Sequence, residues 1–96
     1  MITVHNAGWF DIICETHHEN HDNGVVQTVS NTVKLNLGQT HTFDHKNQRL
    51  IIYANKLNSD LAIQKVQLKR ISDVTAETYG IIAHGTAFNP WLEYNK

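Results

Sequence analysis

One cysteine, one proline and three serines are all that this 96-residue chain holds of those types. With Cys14 alone, no internal disulfide can form, so the fold must stand on noncovalent packing. Cys14 lies in the apolar run Phe10-Asp11-Ile12-Ile13-Cys14, which suits a small buried hydrophobe better than an activated thiol. None of Ser30, Ser59 and Ser72 sits in a Gly-x-Ser-x-Gly setting, and no glycine-rich phosphate loop occurs. The chain therefore reads as a non-enzymatic protein that needs no cofactor. Charge of one sign is also missing. Eight Lys plus Arg against nine Asp plus Glu leave a net charge of -1, which does not suit a nucleic-acid partner. No apolar stretch approaches the roughly 18–20 residues of a membrane-spanning helix. The opening Met-Ile-Thr-Val-His has neither a basic nor an apolar leader segment, so a cytoplasmic or non-classically released protein is expected. Repeats, low-complexity tracts and linkers are missing too, and the length suits one domain over residues 1–96.

The 41% hydrophobic and 18% charged content is that of a globular protein. Its hydrophobic residues fall into short runs of strand type, separated by turn chemistry. Trp9, Asp11, Ile13 and Glu15 would share one face of a strand, and Phe10, Ile12, Cys14 and Thr16 the other, which is the candidate core face. Asp22-Asn23-Gly24 is a hairpin signal, because Asn-Gly accepts the positive φ angles of a type I′ turn. Residues 25–30 and 31–37 read as two further strands, the second with Val33, Leu35 and Leu37 on one face. Residues 40–43 are extended, and residues 50–54 form a continuous apolar strand with a central place in a sheet. Residues 61–71 fit a helical stripe or a strand, and the β-rich context favours the strand. A strand over residues 79–84, a loop over residues 85–91 and a last short strand over residues 92–94 complete the chain. The expected fold is all-β: a small antiparallel β-sandwich in a single domain.

The chemistry-bearing residues gather in a few loops. Residues 16–24 hold three of the seven histidines. His17, Glu19 and His21 alternate, so an extended arm would project them from one face as candidate metal ligands. His41 and His45, with Asp44 between them in sequence, could complete such a site if the two loops met. The other reading is a solvated hairpin, since spacing within one arm does not fix ligand geometry. His-His-Glu-Asn-His also differs from the zinc-protease pattern, which needs a helix. Phe88 and Trp91 flank Asn89-Pro90. They could be exposed anchors for a membrane or sugar, or they could close the core.

The order of several motifs resembles a known family. Gly8-Trp9-Phe10, Asp22-Asn23-Gly24, residues 49–54 and Gly85-Thr86-Ala87-Phe88-Asn89-Pro90 follow one another as in the C-terminal membrane-binding β-sandwich of the cholesterol-dependent, thiol-activated cytolysins. The resemblance covers nearly the whole chain through short motifs. It implies a sandwich with loops at one tip. A threonine-leucine pair that recognises cholesterol in that family falls here on Ala87 and Phe88. The family's Trp-rich, cysteine-bearing loop falls on about residues 55–64, which contain neither type. The pore-forming domains of the family have no counterpart in this chain. The resemblance would bring residues 16–24, 44–48, 55–60 and 85–91 together at the tip. The expected function is recognition of a membrane surface, glycan or protein partner through those loops. Thr86, Ala87, Phe88 and Trp91 would supply apolar contact, and His17, His18, His21 and His45 polar or pH-tuned contact. Metal binding by His17, Glu19 and His21 is one alternative. Another is self-assembly into a homo-oligomer through open strand edges.

Overall fold

A computed structural model describes residues 1–95 as eight strands in two four-stranded sheets. The strands are β1 (Ile2–Asn6), β2 (Ile12–Asp22), β3 (Val25–Leu35), β4 (Thr40–Phe43), β5 (Arg49–Leu57), β6 (Ile63–Ile71), β7 (Tyr79–Thr86) and β8 (Asn89–Asn95). One sheet has the order β4-β1-β7-β8 and the other β3-β2-β5-β6. The expected all-β sandwich is thus observed. Pairing is antiparallel except between β1 and β7, which run parallel from Ile2↔Tyr79 to Asn6↔Ala83. A parallel neighbour cannot come from a hairpin. The chain passes through the second sheet before returning to lie beside β1.

Alternation sorts the side chains. Ile12, Cys14 and Thr16 point inward from β2, as do Leu50, Ile52 and Ala54 from β5, and all six are buried. Ile2 and Val4 of β1 and Ile81 and Ala83 of β7 face them from the other sheet. Burying each large aliphatic side chain contributes about 1.5–3 kcal/mol. Residues 61–71 resolve as strand, because β5 offers a partner from Leu50↔Ile71 to Leu57↔Ile63.

Two local expectations need correction. Residues 25–37 are not two strands: β3 pairs with β2 without a break over eleven residues. Residues 85–91 are not a loop, since β7 and β8 pair up to Thr86↔Asn89 and leave Ala87-Phe88 as the turn. Asn6, the last residue of β1, is a packing centre. The buried Asn6 amide donates to the carbonyls of Phe10 (2.7 Å) and Leu35 (2.9 Å), and its oxygen accepts from the Gly8 N–H (2.9 Å). Asn6 thereby ties the end of β1 to the segment leading into β2 and to the end of β3. Gly8 has no Cβ because the Phe10 ring occupies that space.

Candidate functional site

Strand direction decides which loops meet. β2 begins at Ile12 beside Ala54 and Leu35, and it ends at Asp22 beside Val25. The β2–β3 hairpin therefore caps one end of the molecule, and the β5–β6 loop lies at the other. Eleven residues of strand at about 3.3 Å each separate these ends by roughly 35 Å, along the 50 Å axis of the molecule. The expected gathering of four loops at one tip does not occur. Residues 55–60 and 85–91 share one end, while residues 16–24 and 44–48 share the opposite end.

The first end mixes polar loop residues with large exposed apolar side chains. The Leu57 N–H donates to the Ala87 carbonyl (2.7 Å), which ties the β5–β6 loop to the β7–β8 turn across the two sheets. The Trp9 N–H donates to the Gly85 carbonyl (3.0 Å), and Trp9 bridges to Thr86. The β3–β4 turn joins this end through the Gly38 N–H, which donates to the Asn6 carbonyl (2.7 Å). Large apolar side chains stand outward here. Trp9, Leu61 and Ile63 are each 74% exposed, Phe88 56% and Trp91 50%. Leu37 of the β3–β4 turn is exposed as well. Trp91 stacks on His84, its cross-strand neighbour, at 4.6 Å between ring centres. His84 Nε2 lies 2.7 Å from Glu93 Oε2. Gly85 permits this packing: its φ is +100°, and a Cβ there would meet the Asn89 carbonyl and the Trp91 ring. A groove lined by Lys56, Leu57, Asn58, Ser59, Asp60 and Phe88 runs between the turn and the loop.

The hairpin end carries the histidine-rich polar side chains, beside the exposed Val25 and Val26. Asn23 and Gly24 have φ of 50° and 78°, the two positive values of a type I′ turn. Residues 18–22 extend past β5, whose pairing with β2 stops at His17↔Arg49. His17 Nδ1 lies 2.8 Å from Ser30 Oγ, and its Nε2 lies 2.7 Å from Glu15 Oε1. The His17 contact and nearby Lys65 hold the Glu15 carboxyl below the usual carboxylate range, against some desolvation. His21 Nε2 lies 3.6 Å from Glu19 Oε2. His18 points the other way and stacks on His45 at 4.2 Å, with its Nδ1 buried and unpartnered. The two histidine loops do meet, then, through stacked rings. His17, Glu19 and His21 share a face of β2, yet among the described residues no three His, Cys, Asp or Glu side chains converge as metal ligands.

The remaining sequence-flagged residues separate accordingly. Thr86, Ala87, Phe88 and Trp91 belong to the first end, and His17, His18, His21 and His45 to the hairpin end. Cys14 is buried in the core, and burial pushes its thiol up to about 12. The alternation pattern missed Trp9, Leu61 and Ile63. The one available signal was Trp9 itself, a large aromatic on the face shared with Asp11 and Glu15.

No family model and no curated protein matches this chain. Solved structures do. The membrane-binding domain of pneumolysin aligns over 99% of this chain and 94% of its own, with TM-score 0.59 and 11% identity. Suilysin from Streptococcus suis aligns over 99% of this chain at TM-score 0.63 and 11% identity, and a disulfide-locked intermedilysin solved with human CD59 over 98% at 0.60 and 15%. The chain spans only 22% of suilysin and 23% of that intermedilysin. The chain thus has the fold of the cytolysin membrane-binding domain over nearly its whole length.

Proposed function

We propose that this chain is a non-enzymatic recognition module that docks on a membrane surface through its apolar end. The observation that carries this reading is the set of outward apolar side chains at one end: Trp9, Leu61, Ile63, Phe88 and Trp91. Monomeric proteins rarely expose a contiguous apolar patch unless it binds something. Trp9 and Trp91 add rings suited to a headgroup boundary. Among the described residues no helix is long and apolar enough to cross a membrane, so contact would come from loops and turns. A solved likeness supports the choice of partner, since it is named for membrane binding. Ala87 offers no hydroxyl where the family places its cholesterol-recognising threonine, so docking is expected with or without cholesterol.

Liposome co-sedimentation tests this reading. The parent chain should pellet with phosphatidylcholine vesicles, with and without cholesterol. Phe88→Ser or Leu61→Ser should weaken binding about tenfold each, the equivalent of about 1.4 kcal/mol of lost apolar contact. A parent chain that stays in the supernatant with both vesicle types would sink the proposal.

A second reading is self-assembly along β3. This edge strand runs eleven residues with no proline, no register shift and Lys34 as its only charge. Sheet edges are usually blunted by one of those devices. Two β3 strands could pair antiparallel about Ser30 with no like charges opposed. Light scattering over a concentration series should then show a dimer in the parent and a monomer in Thr28→Lys. A parent that is monomeric throughout excludes it.

A further inference from the structure

The outer face of the β3-β2-β5-β6 sheet carries a second feature, remote from the apolar end. His17 lies directly across from Arg49, and Ile51 directly across from Arg70. These four side chains line one depression of about 170 Å³. Arg49 also borders an adjoining pocket of about 310 Å³, shared with His18, Glu19, His21, Asn47, Ser72 and Asp73. Among the described residues, neither guanidinium has an ion-pair or hydrogen-bond partner.

Acids are close at hand, and each is engaged elsewhere. Glu15 contacts His17 at 2.7 Å and Lys65 at 3.6 Å. Glu19 faces His21 at 3.6 Å. Asp73 accepts from the Thr75 hydroxyl at 2.7 Å and from the Thr75 N–H at 2.9 Å. Two arginines are thus left facing a shared hollow with their forks of donors unused. Diagonal neighbours on one sheet face lie about 7–8 Å apart, close enough for one ligand to span. The Ile51 floor keeps water off one side of that ligand, which strengthens charge-assisted hydrogen bonds.

We propose that Arg49 and Arg70 form a binding site for an oxyanion, a phosphate, sulfate or carboxylate group carried on a small polar molecule. Guanidinium suits this ligand because its planar fork bonds two oxygens at once. His17 closes one wall. Asn47 and Ser72 in the adjoining pocket offer neutral donors and acceptors for the hydroxyl-bearing remainder of the ligand. A long soluble ligand would occupy both pockets, with Arg49 between them.

The test is a titration followed by backbone amide shifts at constant ionic strength. Inorganic phosphate, inorganic sulfate and glucuronate are compared with chloride. Saturable shifts centred on His17, Arg49, Ile51 and Arg70 are expected for at least one probe, with binding weakened about tenfold or more in Arg49→Gln and in Arg70→Gln. Both positions are exposed, and unchanged shifts elsewhere would show that the variants are folded. A vesicle arm separates a lipid headgroup from a free ligand. It uses the Trp9→Ser, Leu61→Ser, Phe88→Ser chain, in which the apolar end contributes far less, and compares it with the same chain carrying Arg49→Gln and Arg70→Gln, so that what remains of that end cancels. Binding of this chain to phosphatidylserine vesicles that depends on both arginines would assign the oxyanion to a headgroup. Arginine-dependent binding of the soluble probes alone would assign it to a free ligand. Linear, non-saturating shifts with every probe, or variants that titrate as the parent does, would overturn the site.

Discussion

Replacing Asn6 by alanine should cost this domain a large share of its stability. The Asn6 side chain is fully buried and makes three hydrogen bonds of 2.7 to 2.9 Å. Truncation leaves the Phe10 and Leu35 carbonyls and the Gly8 N–H without those partners, in a place water does not reach. A buried polar group deprived of its partner costs about 1–3 kcal/mol. Part of this is recovered by relaxation, so about 3–6 kcal/mol is expected in all. Native stability scales at about 0.05–0.15 kcal/mol per residue, so a domain of this length holds about 5–14 kcal/mol. The variant would lose about a fifth of that or more. Urea unfolding followed by tryptophan fluorescence would show a lower midpoint with an unchanged slope. Asn6→Asp sharpens the test. It keeps the acceptor for Gly8 but turns a carboxylate toward two carbonyls, so it should be at least as damaging at neutral pH and recover partly in acid. Asn20→Ala, on the exposed hairpin arm, should stay within about 0.5 kcal/mol of the parent. An Asn6→Ala midpoint within about 1 kcal/mol of the parent would refute the reasoning.

Three further outcomes are expected. At pH 8 the Cys14 thiol, pushed from 9.0 to about 12, should ionise roughly 1000-fold less than in the unfolded chain, so thiol reagents should label it only at the rate of opening. The folded state's preference for the neutral thiol costs nothing below pH 9. Between 9.0 and about 12 it should lower stability by about 1.4 kcal/mol per pH unit, a slope missing in Cys14→Ala. Gly85→Ala should destabilise the β7–β8 hairpin by at least about 1 kcal/mol and displace Trp91, readable as a change in near-ultraviolet circular dichroism, because φ is +100° and a Cβ would collide with the Asn89 carbonyl. The lowered Glu15 carboxyl should add stability above its ordinary unfolded value and lose it as pH falls through the folded one. An acid unfolding curve for Glu15→Gln that matches the parent's would remove Glu15 from that role.

Much of the architecture follows from residues a few positions apart. Asn23-Gly24 makes a two-residue turn because asparagine and glycine tolerate positive φ, and the arms on either side pair because of it. Alternation assigned Phe10, Ile12, Cys14 and Thr16 to the core, and all four are buried. The ambiguous segment of residues 61–71 shows the limit of such reasoning. Its side chains suit two periods, and a neighbouring strand, not local propensity, makes it β6.

The candidate sites lie beyond that limit for the same reason. Asn6 reaches Gly8 and Phe10 locally, but only the packing of β3 brings the Leu35 carbonyl to its amide. Arg49 and Arg70 stand 21 positions apart in sequence, and they share a hollow only because β5 and β6 pair as they do. The histidine-rich hairpin and the Phe88 turn look like partners in a list of loops, yet the antiparallel course of β2 and β5 sends them to opposite ends. Turn chemistry and side-chain alternation act over two to four residues, so strands, turns and core faces can be read along the chain. Strand order and direction depend on contacts between distant segments. Those contacts set which polar groups are satisfied, which charges stay unpaired and which apolar side chains form a common surface.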